Sequence, residues 1–113
     1  MTETIFSKII AGEIPSDKLY EDDLCIAIRD INPQAPVHIL VIPRKPIPTL
    51  SDATIEDQAL LGHLLLVVRQ LAESLCVGDG FRTIINCGEK GGQTVFHLHV
   101  HLLAGSAMGE GLV

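Results

Sequence analysis

The run TVFHLHVHLLA (residues 94–104) constrains the fold of this chain more than any other segment. His97, His99 and His101 occupy alternate positions, with apolar residues between them. Successive side chains of a β-strand point to opposite faces of the sheet, so residues two apart share one face. We therefore expect a strand over the whole run, with its apolar side chains, Phe96 included, toward a core and its histidines on the other face.

Apolar periodicity and turn residues predict the other elements. They indicate a helix over 4–11 ended by Gly12, strands over 18–22, 24–31, 37–43 and 81–88, and a long helix over about 54–76. The run 37–43, VHILVIP, is apolar at nearly every position, as expected of a central strand covered on both faces. The pattern predicts an α+β fold, in which a mainly antiparallel sheet packs against the long helix.

Two connections are specific enough to predict in detail. Prolines at 43, 46 and 48 exclude regular structure up to Ser51 or Asp52, which we expect to act as N-caps. The loop EKGGQ (89–93) separates the last two strands by about five residues, so we expect these strands to form a hairpin.

Composition excludes several classes of protein. At 113 residues the chain is expected to form one domain, residues 1–113, and its net charge of −6 argues against nucleic acid as a partner. The three cysteines have no C-x-x-C spacing, which indicates reduced thiols rather than a disulfide framework. No apolar run approaches the roughly 20 residues of a membrane span, and the N-terminus lacks the features of a signal peptide. We therefore expect a cytoplasmic protein with no membrane partner.

Two chemistries can explain three clustered histidines. Zinc binds imidazole at about 2.0–2.1 Å, but residues four apart on a strand lie roughly 13 Å apart, so His97 and His101 cannot easily share one ion. A two-histidine site would need another ligand, and His38 is the only other strand histidine. We therefore expect no metal and no cofactor. The second chemistry is nucleophilic attack by a neutral imidazole on phosphorus, with the flanking histidines handling protons.

The loop before the last strand supports the second chemistry. The glycines of GGQT (91–94) let backbone N–H groups approach an anion, although a Gly-Gly pair alone is more often only a turn. Asn86 and His38 interrupt apolar strands, and each fits a ligand contact or a satisfied structural role equally well. Asp30 ends a strand, where it can cap a turn or accept hydrogen bonds from ribose hydroxyls.

These residues resemble the histidine triad family. HLHVHLL matches its signature H-φ-H-φ-H-φ-φ, where φ is apolar. The segments IFSKIIAGEIP, RDINPQAPVHILVIPR and GGQTVFHLHVHLL are similar to the Hint branch of that family, the purine nucleoside phosphoramidases. The resemblance covers roughly residues 4–105, and three separate segments in the same order make it specific.

The resemblance implies a five-stranded antiparallel sheet with two helices, in a homodimer whose sheets join. It implies purine nucleotide substrates of the adenosine 5′-phosphoramidate type, also acyl-adenylates, with AMP as a product. By position in the motif, His99 is the nucleophile, and His97, His101 and His38 support it. The nucleotide contacts it implies are Asp30 and Ile31 at the ribose and base, Asn86, Gly92, Gln93 and Thr94 at the phosphate, and Phe6 and Ile9 near the purine.

The sequence also departs from the family pattern. Thr94 stands where many relatives have Ser, Pro46 where some have His, and the tail SAMGEGLV lacks the Trp-containing ending of animal members. Two alternatives stay open. One is a dinucleoside polyphosphate hydrolase or nucleotidyl transferase of the same superfamily, although the transferase branch carries Gln where His101 stands. The other is a non-catalytic module that binds a nucleotide or zinc to regulate partners.

Overall fold

The computed structural model describes residues 3–112. The regular elements of this part of the chain are α1 (Ile5–Ile10), β1 (Lys18–Glu21), β2 (Cys25–Arg29), β3 (Val37–Pro43), α2 (Gln58–Ser74), β4 (Phe81–Ile84) and β5 (Val100–Ala104). The strands form one sheet in the order β1-β2-β3-β5-β4, and each neighbouring pair is antiparallel. The predicted α+β fold, with a five-stranded antiparallel sheet and two helices, is confirmed.

The two faces of the sheet carry separate apolar clusters. On the face covered by α2, the buried side chains include Cys25, Ala27, Ile39, Val41, Leu64, Val67, Val68, Leu71, Leu98, Val100 and Leu102. On the face covered by α1, Phe6 and Ile9 pack with Ile26, Ile28, Leu40 and Ile42. β3 contributes to both clusters and lies in the middle of the sheet, as its apolar sequence predicted.

The short helix α1 is defined by its ends. The Thr4 hydroxyl accepts the N–H of Ser7 at 3.1 Å, and the Ser7 hydroxyl oxygen accepts the N–H of Thr4 at 2.8 Å, which forms a capping box. Gly12 follows the helix with φ of +81°, the left-handed conformation that glycine adopts without steric cost. The predicted helix and its terminating glycine are confirmed.

The start of the long helix differs from the prediction. Two 3₁₀ turns, Leu50–Asp52 and Ile55–Asp57, precede α2, so Ser51 and Asp52 do not cap it. The reason is local, because the Asp52 carboxylate accepts the hydroxyl of Thr49 at 2.7 Å and closes the first short turn instead. No helix within the described range is long and apolar enough to cross a membrane.

The last two strands pair with each other as predicted, but both are shorter than the prediction. β4 and β5 pair from Phe81 with Ala104 to Ile84 with His101, so the connection runs over residues 85–99 rather than about five residues. The strands predicted over 81–88 and 94–104 are therefore wrong at these inner ends.

The residues before β5 bond to a different segment. The N–H of Leu98 donates to the carbonyl of Ile47 at 2.7 Å, and the Gln93 amide donates to the carbonyl of Pro48 at the same distance. These bonds hold the chain against the segment after β3, and residues 95–97 bend. Phe96, expected to face the core, is 46% exposed because of that bend.

Candidate active site

His99 lies immediately before β5, and its imidazole lines a cleft beside α1. Its Nδ1 lies 2.8 Å from the backbone carbonyl oxygen of His97. A carbonyl oxygen only accepts, so Nδ1 carries the proton and the neutral ring keeps its lone pair on Nε2. Among residues 3–112, no hydrogen bond uses that Nε2. The Phe6 ring meets His99 edge-on, with centroids 4.9 Å apart, and fixes the imidazole from the side.

A chain of hydrogen bonds orients His101. The N–H of Gln34 donates to Nδ1 of His38 at 3.0 Å, so a neutral His38 carries its proton on Nε2. That Nε2 lies 2.9 Å from Nδ1 of His101, to which it donates. His101 then carries its own proton on Nε2. Two of the rings that line the cleft therefore have opposite roles at Nε2: His99 presents a lone pair, and His101 presents an N–H donor.

His97 lies behind these rings rather than in the wall of the cleft. Its Nε2 donates to the carbonyl of Pro43 at 2.7 Å, and the side chain is 2% exposed. Its backbone carbonyl is the acceptor that holds His99. The structure therefore places His97 where its backbone carbonyl orients the His99 ring, and a catalytic role for its side chain stays a prediction.

Burial keeps the three histidines of the triad neutral. It lowers the pKa of His97 and of His99 below the ordinary value of 6.5. Burial, followed by the neighbouring His99 and His38, lowers the pKa of His101 to about 4. Each ring is therefore uncharged near neutral pH, which is the state a nucleophilic imidazole requires.

The cleft has a volume of about 560 Å³ and runs between α1 and the ends of the strands. Its walls combine three groups of residues: apolar side chains at Phe6, Ile9, Ile14, Ile28, Ile31 and Leu40, polar ones at Asp30, Asn32 and Thr94, and the imidazoles of His38, His99 and His101. Gly92 completes the lining beside Thr94. Most of the residues expected at a nucleotide site are thus brought together, whereas His97, Asn86 and Gln93 lie outside the lining.

Asn86 and Gln93 brace the glycine loop. The Gln93 side chain accepts the N–H of Gly88 at 2.8 Å and donates to the carbonyls of Pro48 and Val95, so its hydrogen-bonding groups are engaged. Asn86 donates one amide hydrogen to the loop carbonyl of Gly91 at 2.8 Å and keeps the other.

The backbone of this loop is also partly occupied. The N–H groups of Gly92 and Gln93 donate to carbonyls within the loop, at 3.0 Å each. Gly92 has φ of +85°, and a Cβ there would lie 3.5 Å from the Asn86 amide nitrogen. No hydrogen bond among the described residues uses the Thr94 amide or hydroxyl. Thr94 and the second amide hydrogen of Asn86 are therefore the donors that the loop leaves for an anion.

Asp30 serves a turn and still reaches the cleft. Its Oδ1 accepts the N–H of Asn32 at 2.9 Å, which is the turn cap expected as one of two roles. Its Oδ2 lies 3.4 Å from Nε2 of His38. Asp30, His38 and His101 hold ligand atoms within 4.8 Å of one another, so they could hold a metal ion. Strand spacing disfavours one ion shared by His97 and His101, and His38 was the other histidine considered as a ligand, but Asp30 as a third ligand was not predicted.

Sequence reasoning missed several lining residues. Ile28 lies two positions before Asp30 on β2 and therefore on the same face, a period-2 signal that could have identified it. Ile14 and Leu40 offered no comparable signal, because many apolar residues share their pattern. The carbonyl of Pro43 and the amide of Gln34 are backbone partners, and their identity depends on tertiary placement alone.

Comparison with known proteins agrees with this geometry. Residues 11–108 match the HIT domain family. The chain is 52% identical over 108 residues to a purine nucleoside phosphoramidase of Escherichia coli K12, which covers 95% of this chain and 91% of that protein. It is 63% identical over 103 residues to an uncharacterised HIT-like protein of Synechocystis, covering 91% of this chain and 90% of the relative.

Solved structures show the same fold. A HIT family hydrolase from Clostridium thermocellum superposes with a TM-score of 0.96 at 43% identity, over 100% of this chain and 99% of the other. A HIT family hydrolase from Legionella pneumophila gives a TM-score of 0.93 at 41% identity, over 96% and 97% of the two chains. From the match over residues 11–108 and these identities, the chain belongs to the HIT domain family.

Proposed function

We propose that this chain is a purine nucleoside phosphoramidase, which hydrolyses the P–N bond of adenosine 5′-phosphoramidates and also the P–O anhydride bond of acyl-adenylates. The observation that carries the proposal is the hydrogen bond from His99 Nδ1 to the carbonyl of His97, because it leaves the Nε2 lone pair available at the cleft. The resemblance to HIT family hydrolases and to the E. coli phosphoramidase supports the same reaction class.

In the first step, Nε2 of His99 attacks the α-phosphorus. A P–N bond to the imidazole forms, the P–N bond to the amine breaks, and the amine must gain a proton to leave. His101 is positioned to supply it, because His38 occupies its Nδ1 and leaves the proton on Nε2. Thr94, whose hydroxyl lines the cleft, is the other candidate donor.

In the second step, water replaces His99 on phosphorus. The water gives up a proton as its oxygen bonds to phosphorus, and His101, having lost its own, accepts it. The bond between phosphorus and His99 breaks, and AMP is released. The two steps add one water and return each histidine to its starting state.

The cleft offers a place for each part of the nucleotide. The apolar wall that includes Phe6, Ile9 and Ile31 suits a purine ring, and Asp30 retains Oδ2 for a ribose hydroxyl. Thr94, in the lining, retains donors for the phosphoryl oxygens, where negative charge develops, and in this proposal Asn86, which lies outside the lining, supplies its second amide hydrogen to the same oxygens. In this proposal Gly92 and Gln93 act through the shape of the loop that they hold.

We further propose that residues 1–113 form a single domain that works in the cytoplasm as a homodimer, without nucleic acid or membrane partners. β4 lies at the edge of the sheet, and an unpaired edge exposes backbone groups that joining two sheets would satisfy. Leu65 and Leu66 on α2 are 51% and 63% exposed, which offers apolar area for the same contact.

Two other functions remain as alternatives. A dinucleoside polyphosphate hydrolase would use the same nucleophile with a nucleotide leaving group. A zinc-binding regulatory module is favoured by one observation, the cluster of Asp30, His38 and His101. Assays with adenosine phosphoramidate and diadenosine polyphosphate, each with and without chelator, separate the three functions. The preferred substrate distinguishes the two hydrolases, and the regulatory module turns over neither substrate.

The test of the proposal is His99→Ala. We expect loss of nearly all turnover of adenosine phosphoramidate, because the covalent route is blocked, with AMP binding and far-ultraviolet circular dichroism largely retained. Thr83→Ala, an exposed position on β4, serves as the control and should keep wild-type kcat. If His99→Ala kept more than about a tenth of the wild-type kcat, His99 would not be the nucleophile.

A further inference from the structure

A second cluster of ligand-type side chains lies on the sheet face that α2 covers, away from the cleft. Asp22 lies in the turn between β1 and β2, Cys25 begins β2, and His63 projects from α2. One atom of each, a carboxylate oxygen, the sulfur and a ring nitrogen, lies within 4.8 Å of the others. Cys25 belongs to the apolar cluster under α2, whereas the catalytic histidines line the cleft on the α1 side.

The turn between β1 and β2 explains only part of this arrangement. Oδ1 of Asp22 accepts the N–H groups of Leu24 and Cys25 at 2.8 Å each, which is enough to hold the turn. Oδ2 points instead at His63, whose Nε2 lies 2.7 Å away, and accepts the Tyr20 hydroxyl at the same distance. These bonds hold a carboxylate oxygen and an imidazole nitrogen side by side, near the Cys25 sulfur.

Cys25 adds a sulfur to this cluster. The side chain is 0% exposed beneath α2, in the apolar cluster that also contains Ala27. A thiolate, an imidazole and a carboxylate are together the ligand types that zinc prefers, and three protein ligands with an open fourth position are a known form of zinc site.

We propose that Asp22, Cys25 and His63 bind a divalent zinc ion that fastens the turn between β1 and β2 to α2. On zinc binding the Cys25 thiol releases its proton to solvent. The Nε2 proton of His63, which is donated to Asp22 in the structure, is lost while Nδ1 becomes the protonated nitrogen, so that Nε2 can act as the ligand. The side chains of His63 and Asp22 are 32% and 25% exposed, which gives the ion a path and leaves room for a water as fourth ligand. This site is independent of the phosphoramidase proposal and differs from the Asp30 cluster in its sulfur.

The positive charge of Arg44 is already paired with an acidic side chain. Arg44 donates through Nε to the backbone carbonyl of Asp22 at 2.8 Å. Its other end bonds to the Glu21 carboxylate at 3.0 Å. The acidic run Glu21–Asp23 therefore still offers a favourable field for a cation.

The test uses Co²⁺ as a spectroscopic substitute for zinc in the full chain carrying Cys76→Ser and Cys87→Ser, which leaves Cys25 as the only thiol. We expect one equivalent of Co²⁺ to produce a thiolate-to-cobalt charge-transfer band that Zn²⁺ abolishes by displacement, and Zn²⁺ to raise Tm. Adding Cys25→Ser should remove the band, and adding His63→Gln should weaken metal binding about tenfold or more, since even outer-shell changes cost this much.

Two controls keep the outcome decisive. His38→Ala removes a ligand from the cleft cluster and should leave the cobalt band unchanged. Circular dichroism verifies the fold of Cys25→Ser, and the partly exposed His63→Gln tests the site without altering the core. Absence of a charge-transfer band, or a band that survives Cys25→Ser, would overturn the proposal. Cobalt binding that shows no charge-transfer band and is lost in His38→Ala would place the metal in the cleft instead, because Asp30, His38 and His101 offer no thiolate.

Discussion

Replacing His38 with alanine tests whether the orientation of His101 matters for the reaction. His38 is 6% exposed and links the Gln34 amide to Nδ1 of His101, at 3.0 and 2.9 Å. Without it, the Gln34 amide lies in an exposed loop and can bond to water. His101 loses the only donor that fixes its tautomer, so its proton can move to Nδ1, away from the leaving group.

The expected magnitudes follow from these contacts. An unpaired buried acceptor costs about 1–3 kcal/mol, so His38→Ala should lower the free energy of unfolding by about that amount. A general acid contributes about 10²–10⁴-fold to rate, and His101 is still present in the variant. We therefore expect kcat to fall by about ten- to a hundredfold. The loss should grow with the pKa of the leaving amine, because poor leaving groups depend most on protonation.

The assay compares kcat for a series of adenosine phosphoramidates whose amines differ in pKa. Ile39→Val is the matched control, since Ile39 is the next residue of β3, is buried on the opposite face and should cost about 0.5–1.5 kcal/mol of stability. It should leave kcat unchanged. An equal loss of kcat for every leaving group in His38→Ala, or no loss at all, would refute the role assigned to the His38–His101 pair.

Three further predictions concern pH and assembly. Because burial lowers the pKa of His99 below 6.5, kcat/KM should stay high at pH 6.5 and fall only at lower pH; an acidic midpoint at or above 6.5 would contradict this. The unfolded chain binds protons at His97, His99 and His101 before the folded chain does, so urea denaturation should show stability decreasing as pH falls from 6.5 toward 4. Sedimentation at micromolar concentration should show a dimer, and a single species of 12.2 kDa would exclude it.

The fold could be predicted closely where periodicity and turn residues agree. The apolar run of β3 and the helical repeat of α2 each have one consistent explanation, and both elements are found. The inner ends of β4 and β5 could not be predicted in the same way. The alternating pattern continues through Phe96, but the bonds from Leu98 to Ile47 and from Gln93 to Pro48 join segments far apart in sequence.

The candidate site could likewise be predicted only in part. The type and spacing of its histidines indicate a nucleophile with flanking proton carriers, and the cleft contains His99 and His101 together with His38. The tautomers of these histidines could not be predicted from the sequence, because they depend on which backbone carbonyl or amide bonds to each ring nitrogen. Gln93 is an example. Its position in the sequence predicts a phosphate contact, but in the structure its side-chain amide is fully hydrogen-bonded to other parts of the protein.

The stereochemical course at phosphorus tests the covalent role of His99 most directly. Attack by Nε2 of His99 and then by water gives two in-line displacements, each of which inverts the configuration at phosphorus. The measurement is hydrolysis of an adenosine phosphoramidate that carries a chiral, isotopically labelled phosphorus, followed by analysis of the AMP. We predict net retention of configuration. Net inversion, in a reaction that still depends on His99, would contradict the account and would make His99 a general base for direct attack by water.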